Sequence, residues 1–386
     1  MAGVYVQNRA ASVARLLDAV EAGISARSAG RTAVLIADCG SQDETADVVR
    51  AWCADASGSA RQSVDVEPPL HPGRAVHALL AACHELGARG IAVLDADMIG
   101  VGNGWVAALI APVVEDKADF VSPAYARATS EGTLTTNLLA PLTRALYGRR
   151  IQQVTGGCSA LAATFVAHCL DTGAGAAMPH AHGVEIALST AALATGVRVA
   201  ETHLGRRIVD PNLPQLDLST TLVRTVGPVF DLMERYRDAW EQARVSVDLP
   251  RLGEPSAVTP DAERPSIERM VHAFGLGMKD LLPVWEQIMP EATLARLYPL
   301  TLLEPEEFEF RPSLWARVTL DFAVAHHERR LPRDHLLRAL TPLYLGRVAA
   351  FLRTARAASR DGLLRSFDEI GRAFEAEKDD LGARWR

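Results

Sequence analysis

The sequence predicts an α/β fold, a mostly parallel sheet with helices on both faces, followed by an all-α carboxyl-terminal region. Three observations carry this expectation. Up to about Pro123, short apolar runs alternate with amphipathic helical stretches, the order that makes parallel strands with right-handed crossovers. Several of those runs end in polar, acid-bearing loops, as strands do at the carboxyl edge of such a sheet. From Ser219 onward strand-like runs disappear and apolar residues recur at helical spacing. At 386 residues the chain is long for a single core, and the change of texture divides it into 1–217 and 218–386, with a Pro- and acid-rich linker at about 250–265.

The chain opens on a short strand, 3–6, followed by the polar loop Gln7, Asn8, Arg9 and a helix with Val13, Leu16, Leu17, Val20 and Ile24 on one face. That strand is short for an opening core strand, so a longer native one is expected to begin before it. The run 32–37 ends in Asp38, Cys39, Gly40, Ser41, Gln42 and Asp43, and Ser41 with Glu44 three residues on predicts a capping box for the next helix. Asp38 and Asp43 suit turn and cap chemistry; Asp38 also suits a ligand donor such as the imide of a uracil ring. A third strand is expected at 64–66. Beyond it, Gly73 and Arg74 open a helix over 75–86, where free amides and a cation can meet a diphosphate, while His71 and His77 read as loop and surface residues.

The run 91–94 is apolar throughout, as in a strand buried on both faces, and ends in Asp95, Ala96 and Asp97. Two carboxylates so spaced can hold a divalent cation that completes its shell with substrate phosphates; the same pair in isolation caps a helix or sits in a solvated turn. Gly100, Gly102 and Gly104 follow the acids with GxGxG spacing, which excludes a dinucleotide fingerprint. A strand at 119–122 leads into a polar stretch that turns helical by 146. Gly156, Gly157 and Cys158 form a small-residue turn suited to close approach of a ligand. The sequence from His180 opens a helix over 186–195 with Glu185 pointing inward, 197–204 reads as the last strand, and Asp210 and Pro211 end this half. In the second half, Leu222, Val226, Val229, Met233, Tyr236 and Trp240 mark an amphipathic helix interrupted only at Gly227 and Pro228. Helices at about 266–289, 313–330, 333–354 and 361–382 are expected to form a bundle core.

Composition narrows the function. The formal net charge of -7 argues against a nucleic-acid binder, although the pairs Arg149, Arg150 and Arg206, Arg207 remain available for phosphate. The five cysteines lie at scattered spacings without a CxxC pair, so neither a zinc site nor a disulfide framework is expected. No apolar run is long enough to span a bilayer, and a cytoplasmic protein is expected.

These residues resemble the GT-A glycosyltransferases, specifically the retaining, family-2-like group that makes glucosylglycerate, mannosylglycerate and glucosyl-3-phosphoglycerate. The similarity is best from 3 to about 236. Its motifs run in order: the Asn8 loop, DCGSQDET from Asp38, PGR from Pro72, DAD from Asp95, SEGTLTTNLLAPLTRALYGRR from Ser130, Gly156 and Gly157, GVEI from Gly183 and LGRRIVDP from Leu204. The match over 133–150 is specific; the DxD alone is not. The resemblance implies a GT-A fold and metal-dependent transfer of glucose or mannose, with retention, from a nucleotide-diphospho-sugar to a small polar acceptor such as glycerate or 3-phosphoglycerate. It further implies that Asn8, Asp38, Arg74, Asp95 and Ala96 hold the donor, with Arg74 where a lysine is usual. Asp97 and Asp95 would hold Mg2+ or Mn2+, Asp97 and Glu185 would be catalytic, and Thr133, Asn137, Arg144, Gly156 and Gly157 would line the acceptor site. The helical tail would close the site or make a homodimer.

Two positions depart from the family pattern. Val209 stands where a histidine usually supplies the third metal ligand, leaving His203 and Asp210 as the nearest substitutes, and Cys158 stands where close relatives carry an acid. They motivate a rival expectation, a degenerate GT-A protein that binds nucleotide or a partner without catalysis. A nucleotidyltransferase shares the strand and DxD logic but requires a glycine-rich loop near the amino terminus that this chain lacks.

Overall fold

The structure, a computed structural model, describes residues 1–26, 30–55, 59–210, 213, 215–256, 265–356 and 358–385. Pro211 and half of the expected linker, 257–264, lie outside the described residues. The chain divides into two compact units that interleave in sequence. The first comprises Met1–Ala126, Gln153–Pro214 and Leu249–Ala257, and the second Arg127–Gln152, Gln215–Asp248 and Val258–Arg386. A single cut between 217 and 218 therefore differs from the observed division, which places 127–152 with the helices and 249–257 with the sheet.

The first unit is built on an eight-stranded sheet. Its strands are β1 (Ala2–Val6), β2 (Ala33–Asp38), β3 (Ala60–Val64), β4 (Gly90–Asp95), β5 (Phe120–Tyr125), β6 (Cys158–Ala162), β7 (Val199–Gly205) and β8 (Arg251–Leu252). Across the sheet they run in the order β8, β7, β5, β6, β4, β1, β2, β3. Neighbours are parallel except at β6, which runs antiparallel to both β4 and β5. β1 and β4 are buried along their whole length, as unbroken apolar runs must be when helices cover both faces. The helices Val13–Ser25, Thr45–Ala54 and Asn103–Val114 form one layer, and Pro72–Glu85 packs with Ala163–Thr172 and Ala181–Ala194 in the other.

Differences from the expected strands fall at the edges and at β6. β3 has the sequence ARQSV, largely exposed, and lies at the sheet's edge, so its polar residues hid it and displaced the expected strand to 64–66. β6 was expected as a turn, and β8 falls where no strand was expected. The position of β1 matters most for function. β2 pairs along one side of it and β4 along the other, so the order of connection reverses there, the point at which open sheets of this kind bind ligands beyond their carboxyl ends.

The second unit is mainly helical. Its buried core includes Trp240, Trp285, Trp315, Trp385, Phe274, Phe308, Phe310 and Phe322. The helix Leu218–Arg235 continues through Gly227 and Pro228, both buried, and is capped by Tyr236, so the expected interruption does not occur. Two short strands, Arg149–Arg150 and Val247–Asp248, pair in parallel within this unit, contrary to the expectation of helices alone.

Candidate functional site

The loops that leave β1, β2 and β4 meet beyond the sheet. Register sets Val6 opposite Asp38 and Tyr5 opposite Asp95, so all three loops start at one level. Asn8 adopts a left-handed backbone (φ 53°), a conformation that asparagine tolerates better than most residues. Its amide donates to Ser41 Oγ at 2.9 Å, and its Oδ1 accepts from the Gln42 amide at 2.7 Å, tying the first loop to the second. Asp38 Oδ1 accepts from the amides of Gly40 and Ser41, 2.9 and 2.8 Å away, and closes the turn; Oδ2 has no hydrogen bond among the described residues. The expected capping box does not form. Ser41 Oγ is taken by Asn8, and the Thr45 amide turns instead to Asp43 Oδ1 at 3.0 Å.

Asp95 is buried at the end of β4, its Oδ1 accepting from the Asp97 amide at 3.0 Å. Burial, then the neighbouring Asp97 charge, push its pKa up to about 8. Ala96, buried beside it, donates its amide to Tyr5 O at 3.1 Å, a backbone bond that fixes the loop. Asp97 faces outward, and its carboxylate is held by Arg9: Nε and NH2 lie 2.8 and 2.6 Å from Oδ1. Arg9 was not among the candidates. No spacing links it to Asp97, but adjacency of β1 and β4 brings their loops together.

The turn at Gly156 and Gly157 closes the site from the other side. Gly157 has φ 76°, and a Cβ there would lie 2.4 Å from Met98 Sδ, so only glycine fits. Its carbonyl accepts from the Asp95 amide at 2.8 Å, and its amide donates to Glu185 Oε1 at 2.8 Å. Gly156 O accepts from Tyr125 OH at 2.7 Å. Glu185 thus points inward as expected, and its Oε2 is buried without a hydrogen bond. Cys158 Sγ lies 3.4 Å from Tyr125 OH, and burial pushes its thiol up to about 12, so it stays neutral. Arg207, expected from the sequence only as part of a basic pair available for phosphate, also belongs to this cluster. Burial opposes its charge, but Glu185, then Tyr125 and Asp95, outweigh that penalty and raise its pKa, while its buried Nε has no hydrogen bond.

Arg74 keeps its side chain free of hydrogen bonds and ion pairs among the described residues. The amides expected around it are not free. The Gly73 amide donates to Met178 O at 3.1 Å, and a Cβ at 73 would stand 2.4 Å from Gly175 O, so this glycine serves close packing on the 175–178 turn. The Arg74 amide donates to His71 Nδ1 at 3.4 Å, which makes His71 the helix cap.

The acceptor candidates of the 133–150 segment lie in the second unit and are engaged there. Thr133 Oγ1 is 2.8 Å from Tyr344 OH. Asn137 is fully buried and accepts from Arg347 Nε at 3.1 Å. Arg144 binds Glu375 through Nε at 2.8 Å and Asp368 through NH1 at 2.8 Å.

The residues present offer a divalent cation fewer protein ligands than the resemblance implies. Among the described residues no group of three or more His, Cys, Asp and Glu side chains is placed to hold a metal ion. Val209 stands directly beside the DxD, bridged to Met98, and cannot coordinate. Asp210 reaches Asp97 through a backbone bond of 3.1 Å, and His203 lies within β7 opposite Ala124. Arg9 holds one oxygen of the Asp97 carboxylate, Oδ1, through two nitrogens.

No helix among the described residues is long and apolar enough to cross a membrane. No protein-family model matches the chain, and no curated protein is significantly similar to it. The fold resembles solved structures of glucosyl-3-phosphoglycerate synthase from Mycobacterium tuberculosis. One, in complex with Mn2+, uridine diphosphate and phosphoglyceric acid, is 20% identical with a TM-score of 0.46, over 61% of this chain and 77% of that one. Another, with Mg2+ and uridine diphosphate, is 21% identical with a TM-score of 0.45, over 61% of this chain and 78% of that one.

Proposed function

We propose that this chain is a retaining glycosyltransferase that moves glucose or mannose from a nucleotide-diphospho-sugar to a small polar acceptor such as glycerate or 3-phosphoglycerate. The observation that carries the reading is Arg207, whose Nε is buried without a hydrogen bond and whose charge faces Glu185 and Asp95 at the carboxyl ends of the strands. A sugar leaving a diphosphate builds negative charge on it, and a cation already in place in a dry site stabilises that charge without reorganising. Arg207 suits that task. Glu185 Oε2, held in position through the Gly157 amide, suits a sugar hydroxyl, and Asp38 Oδ2 suits a base N–H. No side chain stands out as a nucleophile, since Cys158 is held as a neutral thiol. The protein's contribution in this reading is positioning and electrostatics.

The test is nucleoside diphosphate release from UDP-, GDP- and ADP-linked glucose and mannose, with glycerate and 3-phosphoglycerate as acceptors. One donor is expected to turn over; Arg207→Met is expected to lower kcat by about a hundredfold or more, the size of loss that follows removal of a preorganised charge, and Asp97→Ala, which releases Arg9, is expected to lower it as well. Unchanged turnover in both variants would remove the assignment.

A second reading, a protein of this fold that binds nucleotide or a partner without catalysis, draws on Val209 and on the engaged carboxylate of Asp97. It predicts nucleotide binding with no turnover of any donor, and a Val209→His variant that gains Mn2+ affinity and still no activity.

A further inference from the structure

Resting on the glycosyltransferase reading, we infer that the guanidinium of Arg9 takes the place of the divalent cation, so that the site binds a nucleoside diphosphate without metal. Arg9 leaves β1 in the first loop and lays its guanidinium against Asp97, with Nε and NH2 at 2.8 and 2.6 Å from one carboxylate oxygen. The position is held at both ends. The Arg9 amide donates to Thr45 Oγ1 at 2.7 Å, and NH1 donates to Asn8 O. The side chain is mostly buried, with 15% of its surface exposed against 35% for Asp97, so the cation sits beneath the loop rather than trailing in solvent.

Donor counting shows what remains. A guanidinium has five N–H groups. Nε–H and one hydrogen of NH2 go to Asp97 and one hydrogen of NH1 goes to Asn8 O, which leaves one N–H on each terminal nitrogen. Two donors side by side on a planar, permanently charged group match two oxygens of a phosphate. A divalent ion on Asp97 would have to share the carboxylate with Arg9, which takes Oδ1 through two nitrogens, and the neighbouring position that could complete its shell is Val209. The exchange of a coordinating side chain at 209 for an apolar one, together with an arginine on Asp97, is one consistent arrangement: the positive charge comes from the chain itself. Arg207, buried without a hydrogen bond to its Nε, adds a second fixed cation on the same side of the sheet.

Calorimetric titration of the full chain with UDP, GDP and ADP, each in EDTA and in excess Mn2+, tests the inference. One nucleotide is expected to bind in EDTA with a Kd within about threefold of that in Mn2+, and Arg9→Ala is expected to weaken binding in EDTA by about tenfold or more. Arg9→Lys keeps the charge without the fork and should recover part of the loss, and circular dichroism melting of each variant establishes that it is folded. The double variant Arg9→Ala, Val209→His should bind the same nucleotide only when Mn2+ is present, an outcome that a purely structural Arg9 would not produce. Binding of the wild-type chain that requires Mn2+, or metal-free binding unaffected by Arg9→Ala, would overturn the inference and leave the glycosyltransferase reading standing. Failure of all three nucleotides to bind in either condition would overturn both.

Discussion

Gly157 joins Asp95 and Glu185 through its backbone alone. Its carbonyl holds the Asp95 amide, its amide holds Glu185, and Met98 packs where a side chain would be. An added methyl must displace that thioether and adopt a positive φ, so Gly157→Ala is expected to cost about 2–3 kcal/mol, a combination of backbone strain and overpacking. The check is a pair of measurements, melting temperature and nucleotide affinity. Both should fall, because the displaced turn carries the backbone amide that positions Glu185; a variant as stable as wild type would show that the turn relaxes without cost. The glycine pair was legible in the sequence as a place of close approach, but its neighbour was not, since Met98 comes from the far side of the DxD. The same holds for Asp97, whose two-residue spacing from Asp95 announces a ligand site while its actual partner, Arg9, is fixed by which strands are adjacent. Ser41 shows the converse. Its spacing to Glu44 is that of a capping box, and a tertiary partner, the Asn8 amide, claims the hydroxyl first.

At the scale of elements, legibility followed the strength of the apolar pattern. β1, β2 and β4 are unbroken apolar runs and fall within a residue or two of their expected bounds. β6, with the sequence CSALA, carries no β-branched residue and exists because β4 and β5 pair with it on both sides. The 133–150 segment was legible as a distinctive stretch, and its employment was not. Arg144, on the helix Ala140–Tyr147, anchors the helix Arg360–Ala376 through Asp368 and Glu375. The hydrogen bond from Arg144 holds Asp368 below its ordinary value of 3.8, and for Glu375 burial pushes upward but Arg144 and Ser246 outweigh it and lower the pKa from 4.5. Carboxylates lowered in the folded state contribute stability that is present above their unfolded values and is lost as pH falls through the folded ones. Arg144→Met is therefore expected to cost about 3 kcal/mol near pH 7, where it strands two partly buried charges, and progressively less as the pH drops below about 4. Denaturant melts at pH 7 and pH 3 separate this from a packing defect, whose cost would not change with pH.

For the molecule as a whole, the interleaving of its two units decides what can be removed. The sheet is complete only at β8, which the chain reaches after passing through residues of the helical unit. There the Glu201 amide donates to Pro250 O at 2.9 Å, and the fully buried Glu201 carboxylate meets Arg251 Nε at 3.3 Å. A chain ending at 217, the boundary that the change in texture suggests, would lose that edge and expose the groups it covers. It would also retain 127–152 without the helices that bury them, leaving Asn137 without Arg347 and Arg144 without its carboxylates. Such a fragment is expected to show no cooperative thermal transition. The contribution of β8 itself is read in the full chain: Arg251→Gln keeps a hydrogen-bond donor near Glu201 but removes the charge, and should lower stability by about 1–3 kcal/mol, the range for weakening the partner of a buried polar group. A fragment 1–217 that melts cooperatively within a few degrees of the full chain would show that the sheet closes without β8, and an unchanged melting temperature in Arg251→Gln would show that Glu201 is stabilised by its other contacts.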